Sequence, residues 1–573
     1  MIQRVVVRNF KMFREESFDL SDSVILAGPN NRGKTSLLQA IAVWNLGLQK
    51  WLAERGPESK SKAKKRTGVA ITRQDFSAIP LREMNLLWTD RSAALSKDDV
   101  SGDQKPGTPR LLSISLHGNG PAQTWELTIE FTYRYPDLVH VRPAEDTPVD
   151  AILEKARDIL VVHVPPFSGI GPEETGLDRA YQDRLIGHGK PGDILRNLLL
   201  EVFTREENWK AICRDVEEIF QYRLLPPQYE GRPFILCEYQ PGIPERLGHK
   251  TLPKLDISCA GSGFLQVLML LGFFYARPAS ILLLDEPDAH LHVKLQKQVY
   301  DRLRQVARNR GCQLLIATHS EVLIDNTAPE KIIDFHRRPH RLVIDLERDQ
   351  IREALKRLTS LDILQAEQAK GVLFLESETD LNLLREWARV FGHPAYEVLA
   401  KNPFWHNNKG RNPREARGHF FALKAVNPEI QAVLILDGDN RSLPDHEVSA
   451  EGLSVLRWRR YEAENYLVHP DALSRFAGGT STDLFSMVSV ERGITYLKNQ
   501  LPPAVYSNPL AEHPYWERTP ASKELLPGFF RASGIELTKN EYYQVAAQML
   551  PGELSSEIKE KLDGLYQVLR SEQ

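Results

Sequence analysis

The chain has 573 residues, too many for a single hydrophobic core, so two or three domains are expected. Hydrophobic residues make up 42% and charged residues 26%, an ordinary globular composition. The formal net charge of -3 excludes a global electrostatic pull toward nucleic acid, so any nucleic-acid surface must be a local patch.

Four cysteines (Cys213, Cys237, Cys259, Cys312) stand far apart with no C-x-x-C pair. They suggest neither a zinc site nor a disulfide framework and fit a reducing cytosol. The N-terminal run MIQRVVVRNFKMF alternates like a strand and lacks the apolar core of a signal peptide. The most apolar run, FLQVLMLLGFFYA, is too short to span a bilayer and carries Gln266. A cytoplasmic protein with no membrane association is expected.

In chain order, residues 1–27 read as short strands ending in VILA, followed by a glycine-rich loop and a helix, SLLQAIAVW. Residues 54–67 and 91–109 are polar and loop-like. Lys60, Lys62, Lys64, Lys65 and Arg66 cluster in the first, as a solvated loop or as a phosphate-contacting patch. LLSISLHG, WELTIEFTY and ILVVHV are strand-like, and a helical insertion is expected near 175–223. ILLLDEP and QLLIATHS are apolar strands. A strand-like LVIDL then leads into a charged helix, RDQIREALKRLTSL. GVLFLE opens a second α/β pattern with LNLLREWARVF as helix, YEVLA as strand and QAVLILDGD as strand. The expected division is an α/β ATPase domain over 1–345, a linker over 346–368, a second α/β domain over 369–475 and a mostly helical region over 476–573.

Gly28-Pro-Asn30-Asn31-Arg-Gly33-Lys34-Thr35 fits G-x-x-x-x-G-K-[ST] between a strand and a helix, the context of a P-loop. Glycines let backbone N–H groups converge on phosphates, and the helix opening at Ser36 aims its positive end at them. Lys34 supplies a charge to the β- and γ-phosphates of ATP, and Thr35 a hydroxyl to Mg²⁺. About 250 residues downstream, Leu284-Asp285-Glu286 ends a buried strand. Asp285 can hold the ion and Glu286 can polarise the attacking water.

This separation and the paired acids resemble the ABC/SMC ATPases. The resemblance assigns Asp288-Ala-His290-Leu-His292 to a D-loop and His319 to a switch histidine. It assigns Ser262 and Gly263 in Ser258-Cys-Ala-Gly261-Ser262-Gly263 to a variant signature motif, with Ser258 and Gly261 as the other alignment. In that family the signature acts on the partner's nucleotide, which implies a homodimer or a larger even-numbered assembly. His290 and His292 are a weak metal pair on their own, and Gln74 is a possible Q-loop residue. GPNNRGKTSLLQAIAVW and LLLDEPDAHLH look most like the coil-free ATPases of the OLD (overcoming lysogenization defect) family, since no sustained heptad pattern is present.

In the second domain, Glu376 and Asp437-Gly438-Asp439 stand at the ends of two buried strands. Clustered carboxylates at strand ends can bind one or two Mg²⁺ ions, or Mn²⁺, and promote phosphodiester cleavage. The arrangement resembles the Toprim fold of OLD-type nucleases. That resemblance adds Asp380, Glu462 or Glu464 in YEAENYL, and a catalytic lysine at Lys523. Ser377 stands where the family usually has glycine, which can loosen the turn or mark a degenerate site. YEAENYL also resembles Toprim-like partner proteins of two-component phage-defence ATPases, so a second defence protein is a possible partner. The stretch 401–420 interleaves Lys401, Lys409, Arg411, Arg414 and Arg417 with Phe404, Trp405 and His406, as a DNA or RNA surface or as a loop. The implied function is ATP-gated, metal-dependent cleavage of nucleic acid in anti-phage defence. The alternative is an ATPase sensor or scaffold with an inactive Toprim-like domain that controls another effector.

Overall fold

A computed structural model describes residues 1–55, 68–95, 105–119, 124–144, 159–243, 252–401, 403–407, 413–439, 449–478 and 484–570. Two compact units divide the chain, Met1–Leu355 and Lys356–Gln573. The basic cluster at 60–66 and the residues Lys409 and Arg411 lie outside the described residues.

The first unit holds two six-stranded sheets. One is antiparallel and begins with Ile2–Phe10, where Val5 and Val7 turn inward in strand alternation and Ile2 and Phe10 are buried at the two ends, the register shifting between Ile2 and Arg4. The other runs in the order His340–Arg341, Ile332–Asp334, Ser23–Ala27, Gln313–Thr318, Ile281–Asp285, Val161–Val164. Its strands are parallel apart from the two-residue edge strand. Ser23–Ala27 and Ile281–Asp285 are buried at every position. Parallel strands covered on both faces have no solvent side, which is why they read as unbroken apolar runs. The helix Lys34–Arg55 contributes Leu37, Ile41 and Trp44 to a core shared by both sheets. The Trp44 indole N–H donates to the Leu127 carbonyl at 3.0 Å, satisfying the one polar atom that this large side chain buries. Helices Arg179–Gly187, Leu195–Phe203 and Glu206–Phe220 lie in sequence between two strands of the second sheet, Val161–Val164 and Ile281–Asp285.

LVIDL is not a strand. Leu342 is buried, but Val343 is 79% exposed, and the Val343 N–H donates to Glu347 Oε2 at 2.9 Å, turning the chain into the helix Asp345–Arg357. The stretch read as a linker is therefore this helix and Ser360–Gln368, with the boundary between the units falling at Leu355 and Lys356.

The second unit is built on a four-stranded parallel sheet, Trp405–Asn407, Gly371–Leu375, Gln431–Leu436, Leu453–Arg457. Leu373 and Leu375 face one core with Trp387, while Val372 and Phe374 face another with Phe420 and Ile363. YEVLA, expected as a strand, is the helix Ala395–Ala400. Gly392 ends the preceding helix at φ 62°, and Ala395 and Leu399 bury one face at helical spacing. Leu497, Phe529 and Leu562 lie in the same core as Leu373 and Val433, so the residues before and after 475 belong to one body.

Candidate functional site

The phosphate loop leaves Ala27 and enters the helix at Lys34. Gly28 and Gly33 adopt φ of 144° and 104°, which L side chains avoid. Lys34 is buried, and its Nζ donates to the Gly28 and Pro29 carbonyls at 2.7 and 2.8 Å. Burial pulls this ammonium down to about 8, against the attraction of Glu286, Asp285 and Asp288. Asn30, Asn31 and Thr35 form an exposed rim, with Ser36 half-buried behind them.

Parallel pairing sets the strand Ile281–Asp285 beside Gln313–Thr318, with Asp285 opposite Ala317. The Thr35 hydroxyl donates to Asp285 Oδ1 at 3.1 Å. Asp285 is pushed up to about 6 by burial, a penalty that a divalent cation relieves. Thr35 and Asp285 thus supply the hydroxyl and carboxylate that fit Mg²⁺ beside a phosphate chain. Glu286 takes φ 51°, and its Oε1 lies 3.4 Å from His319 Nε2. That interaction holds the Glu286 carboxyl below the usual range, although burial opposes it. His319 Nε2 also stands 3.2 Å from Lys34 Nζ. One imidazole therefore touches both the phosphate-binding lysine and the candidate water-activating acid.

Asp288 accepts from the Thr318 hydroxyl at 2.5 Å, which ties residues 288–292 to the strand that precedes His319. His292 caps the helix Val293–Asn309 through Nδ1, with the Lys294 N–H at 3.4 Å. Its Nδ1 is thus engaged as a cap. Ser258, Gly261 and Ser262 are exposed ahead of the helix Ser262–Ala276. A β-carbon at Gly263 would stand 3.1 Å from the His290 carbonyl oxygen, so this glycine lets the start of the helix Ser262–Ala276 approach the His290 backbone closely. Gln74 is exposed in the turn after Val69–Thr72.

The second unit gathers carboxylates where its parallel strands end. Glu376 follows Gly371–Leu375 and Asp437 follows Gln431–Leu436, and the parallel pairing puts both on one edge of the sheet. The Asp437 N–H reaches Glu376 Oε1 at 3.5 Å, and Asp437 Oδ1 accepts from the Ala463 N–H at 3.1 Å. Glu462 and Glu464 are buried on the short helical segment Ala463–Leu467 and the residue before it. Burial, then Glu376, Asp380, Glu464 and Glu462, raise the Asp437 carboxyl well above its ordinary value. Burial, then Glu464 and Glu376, raise Asp380 to about 7. Glu462 is also raised, by burial and by Glu464.

Two details, at Ser377 and Lys523, differ from the sequence reading. Ser377 sits in extended backbone at φ -157°, where serine is unstrained, and its N–H and hydroxyl donate to Asp380 Oδ2 at 3.0 and 3.1 Å. The serine thus holds Asp380 and does not loosen the turn. Gly438 is needed for close approach: a β-carbon there would fall 2.1 Å from the Arg460 carbonyl oxygen. Asp439 donates its N–H to the Tyr461 carbonyl at 3.0 Å. Lys523 is exposed next to Ser522, whose N–H donates to Glu462 Oε1 at 2.5 Å. The lysine bound to the cluster is Lys539, whose Nζ lies 2.7 Å from Glu464 Oε1. No local motif marks Lys539, which lies in a single turn of helix far along the chain.

Residues 1–50 match a family model described as "AAA ATPase domain", and residues 245–325 match one described as "AAA domain, putative AbiEii toxin, Type IV TA system". No curated protein matches the chain. Among solved structures, the chain is similar to an SMC head bound to the C-winged helix domain of ScpA, at 18% identity and a TM-score of 0.32, covering 58% of this chain and 93% of that one. It is similar to the SMC head domain from Thermotoga maritima, at 13% identity and a TM-score of 0.28, covering 58% of this chain and 94% of that one. It is also similar to the Smc head domain with an extended coiled coil bound to the C-terminal domain of ScpA, derived from Pyrococcus furiosus. There the identity is 16% and the TM-score 0.32, covering 58% of this chain and 92% of that one. The two family matches fall on the phosphate loop and on the strand that carries Asp285 and Glu286. The first unit is accordingly an ATPase domain of the AAA type, with ATP as its nucleotide and Mg²⁺ as the usual companion ion. No helix among the described residues is long and apolar enough to cross a membrane.

Proposed function

We propose that this chain is an ATP-controlled, metal-dependent nuclease of the OLD type. In it, pairing of two N-terminal units around ATP governs cleavage of nucleic acid by a Toprim-like C-terminal unit. The observation that carries this reading is the meeting of Glu376, Asp380, Asp437, Glu462 and Glu464 at one strand-end edge. Burial, together with repulsion from Glu464 and Glu376, raises Asp380 to about 7. Buried carboxylates at such density are costly unless a cation joins them. A divalent ion held by them, Mg²⁺ or Mn²⁺, supplies a Lewis acid for a water and for the leaving oxygen of a phosphodiester. Lys523 and Lys539 supply positive charge near the acids, and Lys401, Arg414 and Arg417 offer phosphate contacts. The exposed Ser262 suits a signature motif that meets the nucleotide of a second copy, and with it an even-numbered assembly. A cytoplasmic role in anti-phage defence rests on the family resemblance.

A second reading is a sensor or scaffold whose C-terminal unit does not cut. The Lys539–Glu464 pair favours it, because a built-in ammonium already meets some of the cluster's need for positive charge. Incubating the purified chain with plasmid, linear DNA and tRNA separates the two, with Mg²⁺ or Mn²⁺ and with or without ATP. Cleavage that disappears in Asp437→Ala while ATP hydrolysis persists supports the nuclease. Intact substrates under every condition leave the scaffold reading.

A further inference from the structure

We propose that Asp362, His406 and His419 form a separate binding site for a divalent transition-metal ion of the zinc type. One ligand atom from each lies within 4.8 Å of the others. Asp362 comes from the first turn of the helix Ser360–Gln368, His406 from the edge strand Trp405–Asn407, and His419 from the helix Pro413–Val426. This inference goes beyond the nuclease reading and does not depend on it.

His419 carries most of the argument. It is 4% exposed, and among the described residues neither ring nitrogen has a hydrogen-bond partner. The Asp362 carboxylate is 3.8 Å from Nε2, beyond hydrogen-bond reach. Its ring packs edge-on to Phe374 and lies flat on His406, with centroids 3.9 Å apart and planes 14° apart. The surroundings are an apolar core that includes Phe374, Phe420 and Leu423. Packing alone asks for a phenyl ring there. A buried imidazole with two unsatisfied nitrogens loses its hydration without return. A metal ion restores the balance, because it takes a ring-nitrogen lone pair as a hydrogen-bond donor would.

The other two ligands suit the same ion. Asp362 Oδ2 accepts from the Thr359 N–H at 2.8 Å and hydroxyl at 2.7 Å, the kind of outer contact that orients a metal-binding carboxylate. Two imidazoles and one carboxylate, with a fourth position for water, are a borderline donor set that zinc accepts and that Mg²⁺ does not favour. The carboxylate cluster at the strand ends, with oxygen donors only, has the opposite preference. Zinc bond lengths put tetrahedral ligand atoms about 3.3 Å apart. Binding must therefore draw the three atoms together and open the angle between the stacked rings, since each lone pair lies in its ring plane. His406, half-buried on a three-residue edge strand, is the ligand placed to make that adjustment. The ion would tie this edge strand to two helices on one face of the sheet.

The test is a Co²⁺ titration of the full chain after metal stripping, read by visible absorption. One equivalent is expected to give the ligand-field bands of a four-coordinate site, in the wild type and in Asp437→Asn alike, and Zn²⁺ is expected to erase them. His406→Ala and His419→Phe are expected to lose the bands, the second while keeping the ring packing. In parallel, Zn²⁺ is expected to raise the melting temperature of the wild type and not of His406→Ala. The proposal is overturned if the folded wild type shows no such bands, if both histidine variants keep them, or if Asp437→Asn loses them. The last result would put the ion at the strand-end carboxylates. A chain that cuts no nucleic acid but keeps the bands refutes only the nuclease.

Discussion

The Lys539 ammonium lies 2.7 Å from the Glu464 carboxylate, and it offsets charge in a group of acids drawn from three separate segments of the chain. Lys539→Met leaves Glu464, 1% exposed, without that partner. The second unit is expected to lose about 1–3 kcal/mol of stability in chelator, the cost of a buried group left unsatisfied. Excess Mg²⁺ or Mn²⁺ is expected to recover some of it. Urea unfolding with and without the ion measures both. An unchanged midpoint in chelator would show that the pair carries no weight.

The same acids set a pH dependence. Asp380, Asp437 and Glu462 have folded pKa values above their unfolded ones, so the folded state favours their protonated forms. Their contribution is fully present below about pH 4 and is lost as pH rises through the raised values, about 7 for Asp380. In EDTA, the melting temperature of the second unit is expected to fall from pH 5 to pH 8. Asp437→Asn is expected to flatten that fall and to melt higher than wild type at pH 8. A profile that rises over this range contradicts the cluster's electrostatics.

Gly438 is a steric requirement. Adding a β-carbon 2.1 Å from the Arg460 carbonyl oxygen and 2.7 Å from that of Trp458 forces the backbone apart. Gly438→Ala is expected to destabilise the second unit by about 1–3 kcal/mol, in the range of overpacked sites. It is also expected to impair any metal-dependent activity by shifting Asp437. Chemical denaturation supplies the first number.

At the nucleotide site, Lys34→Ala is expected to abolish ATP binding, because the loop loses its only lysine. Glu286→Gln is expected to bind ATP and hydrolyse it about 100-fold or more slowly, the contribution of a general base. Nucleotide binding and phosphate release read these separately. Normal turnover by Glu286→Gln would move the catalytic role to another group, with His319 the nearest.

The proposed hydrolysis in trans makes a further prediction. Ser262 is exposed at the start of a 15-residue helix. Mixing Lys34→Ala with Ser262→Arg is expected to restore one complete site per heterodimer, and so a fraction of the ATPase activity that each variant lacks. If subunits demonstrably exchange and no activity returns, the site is completed within one copy or by a residue other than Ser262.

The phosphate loop and its two acids were legible in the sequence because their chemistry is local. Glycines at 28 and 33 set the backbone, and an apolar run can place Asp285 only at the end of a buried strand. The ends of Gly371–Leu375 and Gln431–Leu436 were legible for the same reason, and with them Glu376 and Asp437. Short apolar pieces such as YEVLA and LVIDL were misread because five residues do not distinguish a strand period from a helical one. What only the tertiary structure decided are the long-range meetings. Lys539 joins Glu464, His319 stands between Lys34 and Glu286, and Asp362, His406 and His419 converge beside Phe374. A lone lysine or histidine has no periodicity of its own. Its role is set by which strand ends and helix faces the packing of apolar side chains brings beside it.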